Sequence, residues 1–306
     1  MTDLEQSSLI TLPGVDYFVL SGKAWHNTPM PISIPKRPAR SAPRKAPQNT
    51  SWENVAGWYD KLLEGEGTYQ KELILPNLLR LMDIRRGDAV LDLACGPGFF
   101  AREFAARGAV VTGADASTAL IAIAKKNAIA PAGAGMTSTP GSAVFHIASA
   151  DALPFLKNGV ENKAAIVLAL QNIENVAGVL RECARVIKKG GELYIVLNHP
   201  AFRVPKASGW GWDEKEKAQY RRVDRYLSEL KVPIQMHPGD KPSQHTTSFH
   251  RPLQYYFKAL NKAEFSVSMM EEWNSHKKSQ EGPRAKAEDV ARKEIPLFLC
   301  LVAVKQ

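Results

Sequence analysis

Cysteine is scarce in this chain. Cys95, Cys183 and Cys300 lie far apart among 306 residues, which excludes a disulfide framework and a cysteine-based zinc knuckle. Long apolar runs are missing too. The longest, 164–170 and 295–304, are strand-sized, whereas a membrane-spanning helix needs roughly 20 apolar residues. No basic stretch leads into an apolar core at Met1-Thr2-Asp3-Leu4-Glu5. No cleaved secretory signal is therefore expected, and the cytoplasm is the expected address. Four of the seven histidines (His199, His237, His245 and His250) fall in one stretch. Their spacing matches no zinc motif, so no metal site is expected.

What is present fits a soluble globular chain, 44% hydrophobic and 23% charged. Its length allows one large domain with decorations, or two small ones. The formal charge is +9, and Lys36, Arg37, Arg40, Arg44 and Lys45 supply five basic groups within 31–47 without an acid. Pro31, Pro35, Pro38, Pro43 and Pro47 punctuate the same stretch. Proline removes backbone donors and disfavours helix before it. Residues 1–50 thus read as an extended or disordered basic arm outside the fold. Such an arm is either a solvated tail or a tether for an acidic partner such as RNA.

From Ser51 the pattern changes. Ser51 reads as a helix N-cap, and Trp52, Val55, Trp58, Tyr59, Leu62 and Leu63 recur at helical spacing. A second helix is expected over 69–82, interrupted at Pro76. Strands and helices then alternate: strands over 89–93, 110–114, 143–147, 164–170 and 192–197, with helices over 98–107, 117–128 and 176–188. Residues 131–142 read as a loop, and Lys189-Gly190-Gly191 as a turn. Such βαβ alternation implies a parallel sheet covered on both faces. The alternation breaks at 199–250, an insertion with a tryptophan loop (Trp210-Gly211-Trp212). An amphipathic helix is expected there, capped by Asp213 and striped by Tyr220, Val223, Leu227 and Leu230. A helix over 252–262 and two closing strands, 265–270 and 297–304, complete the chain.

The chemistry concentrates at Asp92-Leu93-Ala94-Cys95-Gly96-Pro97-Gly98. An apolar strand runs into two glycines and then a helix. Glycines permit positive φ and close ligand approach, and the helix N-terminus offers free N–H groups. Gly96-x-Gly98-x-x-Ala101 also fits the dinucleotide fingerprint, with Asp115 ending the next strand as a ribose acid. A nicotinamide oxidoreductase is therefore one reading of the spacing. Asp92 separates the two readings. A carboxylate inside the loop, four residues before Gly96, suits a cationic amino and sulfonium group and repels a pyrophosphate. Asp151-Ala152-Leu153-Pro154-Phe155, after the third strand, can hold an adenine edge or simply cap a helix.

With these pieces the run 51–305 resembles the class I S-adenosylmethionine (SAM)-dependent methyltransferases. It is most similar to the small-molecule type that includes the ubiquinone/menaquinone biosynthesis methyltransferases. The matching segments are 90–98, 111–115, 151–155 and 180–192. The resemblance implies an α/β, Rossmann-like three-layer sandwich whose seven-stranded sheet is mostly parallel with an antiparallel last strand. It implies SAM as cofactor and methyl transfer to a small-molecule acceptor. An RNA-modifying methyltransferase using the basic arm and a SAM-binding protein without catalysis stand beside that reading. Residue by residue, the resemblance places Asp92, Ala94, Gly96 and Gly98 around the methionine part and Asp115 on the ribose. Ala116 and Ser117 fall beside the adenine, Asp151 and Ala152 at its edge, and Gln171 near the sulfonium. Tyr59 resembles an aromatic that closes the site, or packs in the core. His199, Trp212 and His250 are the candidates for the acceptor pocket, and no catalytic base is assigned.

Overall fold

A computed structural model of the chain describes residues 51–128, 141–236 and 244–306. The expected arm (1–50) and most of the expected loop at 131–142 lie outside the described residues. A short 3₁₀ turn, Glu53–Val55, leads into α1 (Ala56–Glu64). Ser51 does not cap it. Its hydroxyl donates instead to Thr246 Oγ1 at 3.0 Å, 195 residues away. A π-turn, Gln70–Ile74, continues into α2 (Leu75–Met82), with Pro76 in the first turn. The interruption expected at Pro76 takes the form of this π-turn, in which Leu75 N–H reaches back five residues to Gln70 O just before the proline, while the helical path continues.

The alternating part follows the sequence pattern closely: β1 (Ala89–Leu93), α3 (Phe99–Ala106), β2 (Val110–Asp115), α4 (Thr118–Ala128), β3 (Ser142–Ile147), β4 (Glu161–Val167), α5 (Val176–Val186) and β5 (Ile187–Asn198). Gly190 and Gly191 do not end a helix–strand turn. They lie in a register shift of β5, whose pairing with β4 jumps from Glu161↔Ile187 to Lys163↔Glu192.

The insertion corrects the sequence reading outright. No helix forms over 213–230. Two antiparallel hairpins stand there, β6 (Ser208–Asp213) with β7 (Ala218–Val223) and β8 (Leu230–Gln235) with β9 (His245–His250). Asp213 does not cap a helix; its carboxylate accepts the N–H groups of Lys215 and Glu216, and Lys217 turns at φ 48°. That is an Asx turn, the local bond with which Asp competes against helix. The chain closes with α6 (Leu253–Lys262), β10 (Phe265–Trp273), α7 (Ala285–Glu294) and β11 (Phe298–Lys305). The polar α7 buries only Ala291.

The seven-stranded sheet has the order β10-β11-β5-β4-β1-β2-β3. β1 to β5 pair in parallel, and β11 is antiparallel to both β5 and β10. Side chains alternate across the sheet. Val90, Val111, Tyr194, Val196, Cys300 and Val302 face α2 and α3, whereas Leu91, Leu93, Leu193, Ile195, Leu197, Leu299 and Leu301 face α5 and α6. Because β1, β4 and β5 are covered on both sides, they read as nearly unbroken apolar runs. The strand order reverses between β1 and β4, which opens a crevice at their carboxyl ends. Among the described residues no helix is long and apolar enough to cross a membrane.

Candidate active site

The crevice holds a cavity of about 250 Å³. Its floor comes from the carboxyl ends of four strands: Ala94 and Gly96 after β1, Asp115 and Ala116 at β2, Ala148 to Ala150 after β3, and Leu168 and Ala169 after β4. Two of the turning residues, Ala94 (φ 58°) and Leu168 (φ 53°), are non-glycines in the left-handed region. Such strain persists where the surroundings over-determine it. At Leu168 the brace is visible. Its carbonyl accepts the Gln171 side-chain amide at 2.7 Å, and its N–H donates to Val196 O.

Asp115 organises the floor. One carboxylate oxygen accepts Gly96 N–H at 3.0 Å and the other accepts Ser117 N–H at 2.8 Å. The acid therefore ties the glycine loop of β1 to the start of α4. Burial pushes its carboxyl up, and the same backbone donors pull it down. Above the floor, Glu53 accepts the N–H groups of Thr118 and Ala119 at 2.8 and 3.0 Å, and Asn127 donates to Asp60. These contacts fix α1 along α4 and set Tyr59 over the loop. A Cβ on Gly96 would lie 3.5 Å from the Tyr59 ring, and Trp52 packs on that ring at 5.1 Å. Burial, Asp115 and Asp92 push the Tyr59 phenol up to about 12, so it stays protonated.

Asp92 lies in β1 itself rather than in the loop after it, and is fully buried. One oxygen has no hydrogen-bond partner, and the carboxylate accepts the Ala101 N–H in the first turn of α3. Burial pushes this carboxyl up from 3.8 to about 7. The folded chain therefore holds a proton here that the unfolded chain has released. That stabilisation is complete below the unfolded value and is lost as pH rises through the folded one. Relative to Asp92→Asn, the wild type is expected to lose thermal stability as pH rises from 3.8 to about 7. Parallel melting curves for the two proteins across that window would refute the assignment.

Tyr59, Ala94, Gly96, Asp115 and Ala116 thus converge on the cavity. Others expected there do not line it. Gly98 packs beneath the ring of Phe145. Ser117 is buried and caps α4 through Leu120 N–H. Asp151 accepts bonds from Ser149 Oγ and Asn175 Nδ2, and Ser149 and Ala150 occupy the wall where Asp151 and Ala152 were expected. Gln171 braces Leu168, and its neighbour Asn172 lines the wall with a buried, unpaired Oδ1.

The three acceptor-pocket candidates are also placed elsewhere. His199 is buried, its Nδ1 accepting Ala201 N–H and its Nε2 facing Glu272 at 2.7 Å. With Nδ1 an acceptor, Nε2 carries the proton, and burial lowers the ring's pKa. Trp212 lies under the Arg284 guanidinium at 4.5 Å. His250 bonds the Tyr226 carbonyl at 2.7 Å. The side chains that sequence reasoning missed are Trp52, Asn172, Ile173 and Thr246. Only the Gln171-Asn172 pair, just past β4, carried a local signal.

A carboxylate-anchored glycine loop at a topological switch point defines a nucleoside-type cofactor crevice. Comparisons with known proteins specify it. A methyltransferase domain model matches residues 91–195. The demethylmenaquinone methyltransferase of Thermobifida fusca is 30% identical over 186 residues, covering 58% of this chain and 75% of that protein. The ubiquinone biosynthesis O-methyltransferase of Sodalis glossinidius is 34% identical over 160 residues, covering 50% and 57%. The demethylmenaquinone methyltransferase of Tropheryma whipplei is matched over 46% of its length, so the chain spans about half of several relatives. A SAM-dependent methyltransferase structure from Mesorhizobium loti superposes with a TM-score of 0.58 at 24% identity, covering 78% of this chain and all of that one. The chain belongs to the class I SAM-dependent methyltransferases.

Proposed function

We propose that residues 51–306 form a methyltransferase domain that carries a methyl group from SAM to a small-molecule acceptor in the cytoplasm. The observation that carries the reading is the set of acceptors around one crevice. Asp115 closes its floor, Asn172 Oδ1 is unpaired on its wall, and Asp92 keeps an unpaired buried oxygen beneath the loop. Acceptors without partners suit a ligand with hydroxyl and cationic amino groups. They suit a pyrophosphate badly, which is why the nicotinamide reading falls away.

Of the residues present, Asp115 would take the ribose hydroxyls, Ser149 and Ala150 the adenine edge, and Ala94 and Gly96 the amino-acid part. Asp92 would act on the amino-acid part through its charge, the ligand's cationic group favouring the ionised carboxyl. SAM supplies an activated methyl on a sulfonium with a good leaving group. The chain's contribution is then mainly alignment and exclusion of water. Tyr59 and Trp52 cover the loop for that purpose, and the protonated Tyr59 phenol can donate a hydrogen bond into the cavity. The relatives named for quinone biosynthesis support a small aromatic acceptor, as do the apolar wall residues Leu168 and Ile173.

SAM is expected to raise the melting temperature and NAD to leave it unchanged. Tritiated methyl transfer into a fractionated host extract is expected to label the small-molecule or lipid fraction. Equal shifts with both cofactors would overturn the cofactor assignment, and label confined to RNA would overturn the acceptor class.

A further inference from the structure

Three guanidinium groups converge beyond the carboxyl edge of β5 with little to balance them. Arg203 follows β5, Arg221 stands on β7 and Arg292 on α7. With Tyr69, Ser275 and Trp210 they line a second pocket of about 50 Å³, which shares no lining residue with the cofactor cavity. Arg221 spends two donors on neutral acceptors, Phe202 O at 2.8 Å and Ser208 Oγ at 2.9 Å, and its guanidinium lies 5.2 Å from the Trp210 ring. Arg292 lies 3.9 Å from Glu288 and near Asp289, and its Nε is buried without an acceptor. Tyr69 Oη and Ser275 Oγ hydrogen-bond each other at 2.9 Å and add hydroxyl groups to the wall.

The charges on Arg203 and Arg221 are uncompensated. Burial lowers the pKa of both, no carboxylate acts on either, and Arg203 lowers Arg221 further by direct repulsion. Partly buried like charges normally persist only where an opposite charge pairs with them. Planar guanidinium forks match oxyanions with parallel hydrogen bonds.

We propose that this pocket binds a phosphoryl group, free or at the end of a small molecule. Arg203 and Arg221, side by side in the pocket with no carboxylate acting on either, call for a dianion rather than a single carboxylate. The small volume admits one tetrahedral group and excludes a nucleotide. Because the pocket is separate from the cofactor cavity, the proposal stands independently of the methyl-transfer reading.

The test is thermal melting and calorimetric titration of the full chain with inorganic phosphate, with ionic strength held constant by chloride. Glycerol phosphate and acetate serve as parallel probes. Phosphate is expected to raise the melting temperature of the wild type, and Arg203→Gln and Arg221→Gln to weaken phosphate binding roughly tenfold or more. The SAM-induced shift is expected to survive in both variants. Without phosphate, Arg203→Gln should melt no lower than the wild type, because it removes a repelling charge. Glycerol phosphate binding as tightly as phosphate would support a phosphorylated small molecule. Phosphate binding alone would support the free anion. Equal phosphate stabilisation of wild type and variants, acetate matching phosphate, or a phosphate-free Arg203→Gln melting below wild type would each overturn the proposal.

Discussion

Asp115→Ala is expected to weaken SAM binding by about a hundredfold or more, measured by isothermal titration. Hydrogen bonds to a charged group contribute about 1.5–3 kcal/mol each, and the substitution removes more than one. The carboxylate would hold the ligand's hydroxyl groups, and it already accepts Gly96 N–H and Ser117 N–H. Removing it therefore also frees the glycine loop from α4. Asp115→Asn separates the two effects only in part. Its single carbonyl oxygen can keep the Ser117 bond, but its NH₂ would then meet the Gly96 N–H donor to donor, so the loop stays untethered. The asparagine variant is expected to fall nearer to alanine than to wild type. Glu53→Gln is the contrasting variant. Its amide keeps only one of the two N–H bonds at the start of α4, but Glu53 does not line the cavity, so binding should change less than in Asp115→Asn. Affinity of Asp115→Ala within about threefold of wild type, a loss below 1 kcal/mol, would remove Asp115 from the site.

Much of this was legible in the sequence because parallel strands covered on both faces leave nearly continuous apolar runs. β1 sits where the apolar pattern put it, and Asp115 falls at the end of β2. The glycine loop and the carboxylate at the end of β2 are local features. The insertion was not legible, for a physical reason. Tyr220, Val223, Leu227 and Leu230 match helical spacing, yet Tyr220 is 49% and Leu227 69% exposed. In β7 the inward positions are Gln219, Arg221 and Val223. Two of the three are polar, so a period-two strand signal carried by hydrophobicity could not show. The same limit hid part of the cavity wall. Thr246 reaches it from β9 because Ser51 bonds it across 195 residues, and no local pattern encodes that pairing. Asp151 misled for another reason. A carboxylate after β3 suggested an adenine edge or a helix cap, but no helix directly follows Asp151, and its carboxylate accepts from the side chains of Ser149 and Asn175, the latter the N-cap of α5.

Gly98→Ala is expected to cost about 3 kcal/mol of folding stability, measured by urea denaturation. Two separate costs add there. Gly98 has φ 80°, and a Cβ on it would lie 2.8 Å from the Phe145 ring. The left-handed backbone accounts for about 1–2 kcal/mol, and the clash for the remainder. Gly113 on β2 isolates the second cost. A Cβ there would lie 2.4 Å from the same ring and 3.1 Å from Cys95 Sγ, but its φ is not in the left-handed region. Phe145 is thus caught between two glycines, Gly98 at the start of α3 and Gly113 within β2. Shortening it with Phe145→Leu should relieve the overlap in both variants. In that background Gly113→Ala should become nearly neutral apart from its contact with Cys95, whereas Gly98→Ala should keep its backbone cost of about 1–2 kcal/mol. The two double-mutant cycles should therefore show similar coupling to Phe145 but different residues of destabilisation. If Phe145→Leu erased the whole penalty at Gly98, the glycine would be needed for space alone. If it erased none, the ring would not be what dictates glycine there, and the fixed shape of the loop that presents Gly96 to the cofactor would need another source.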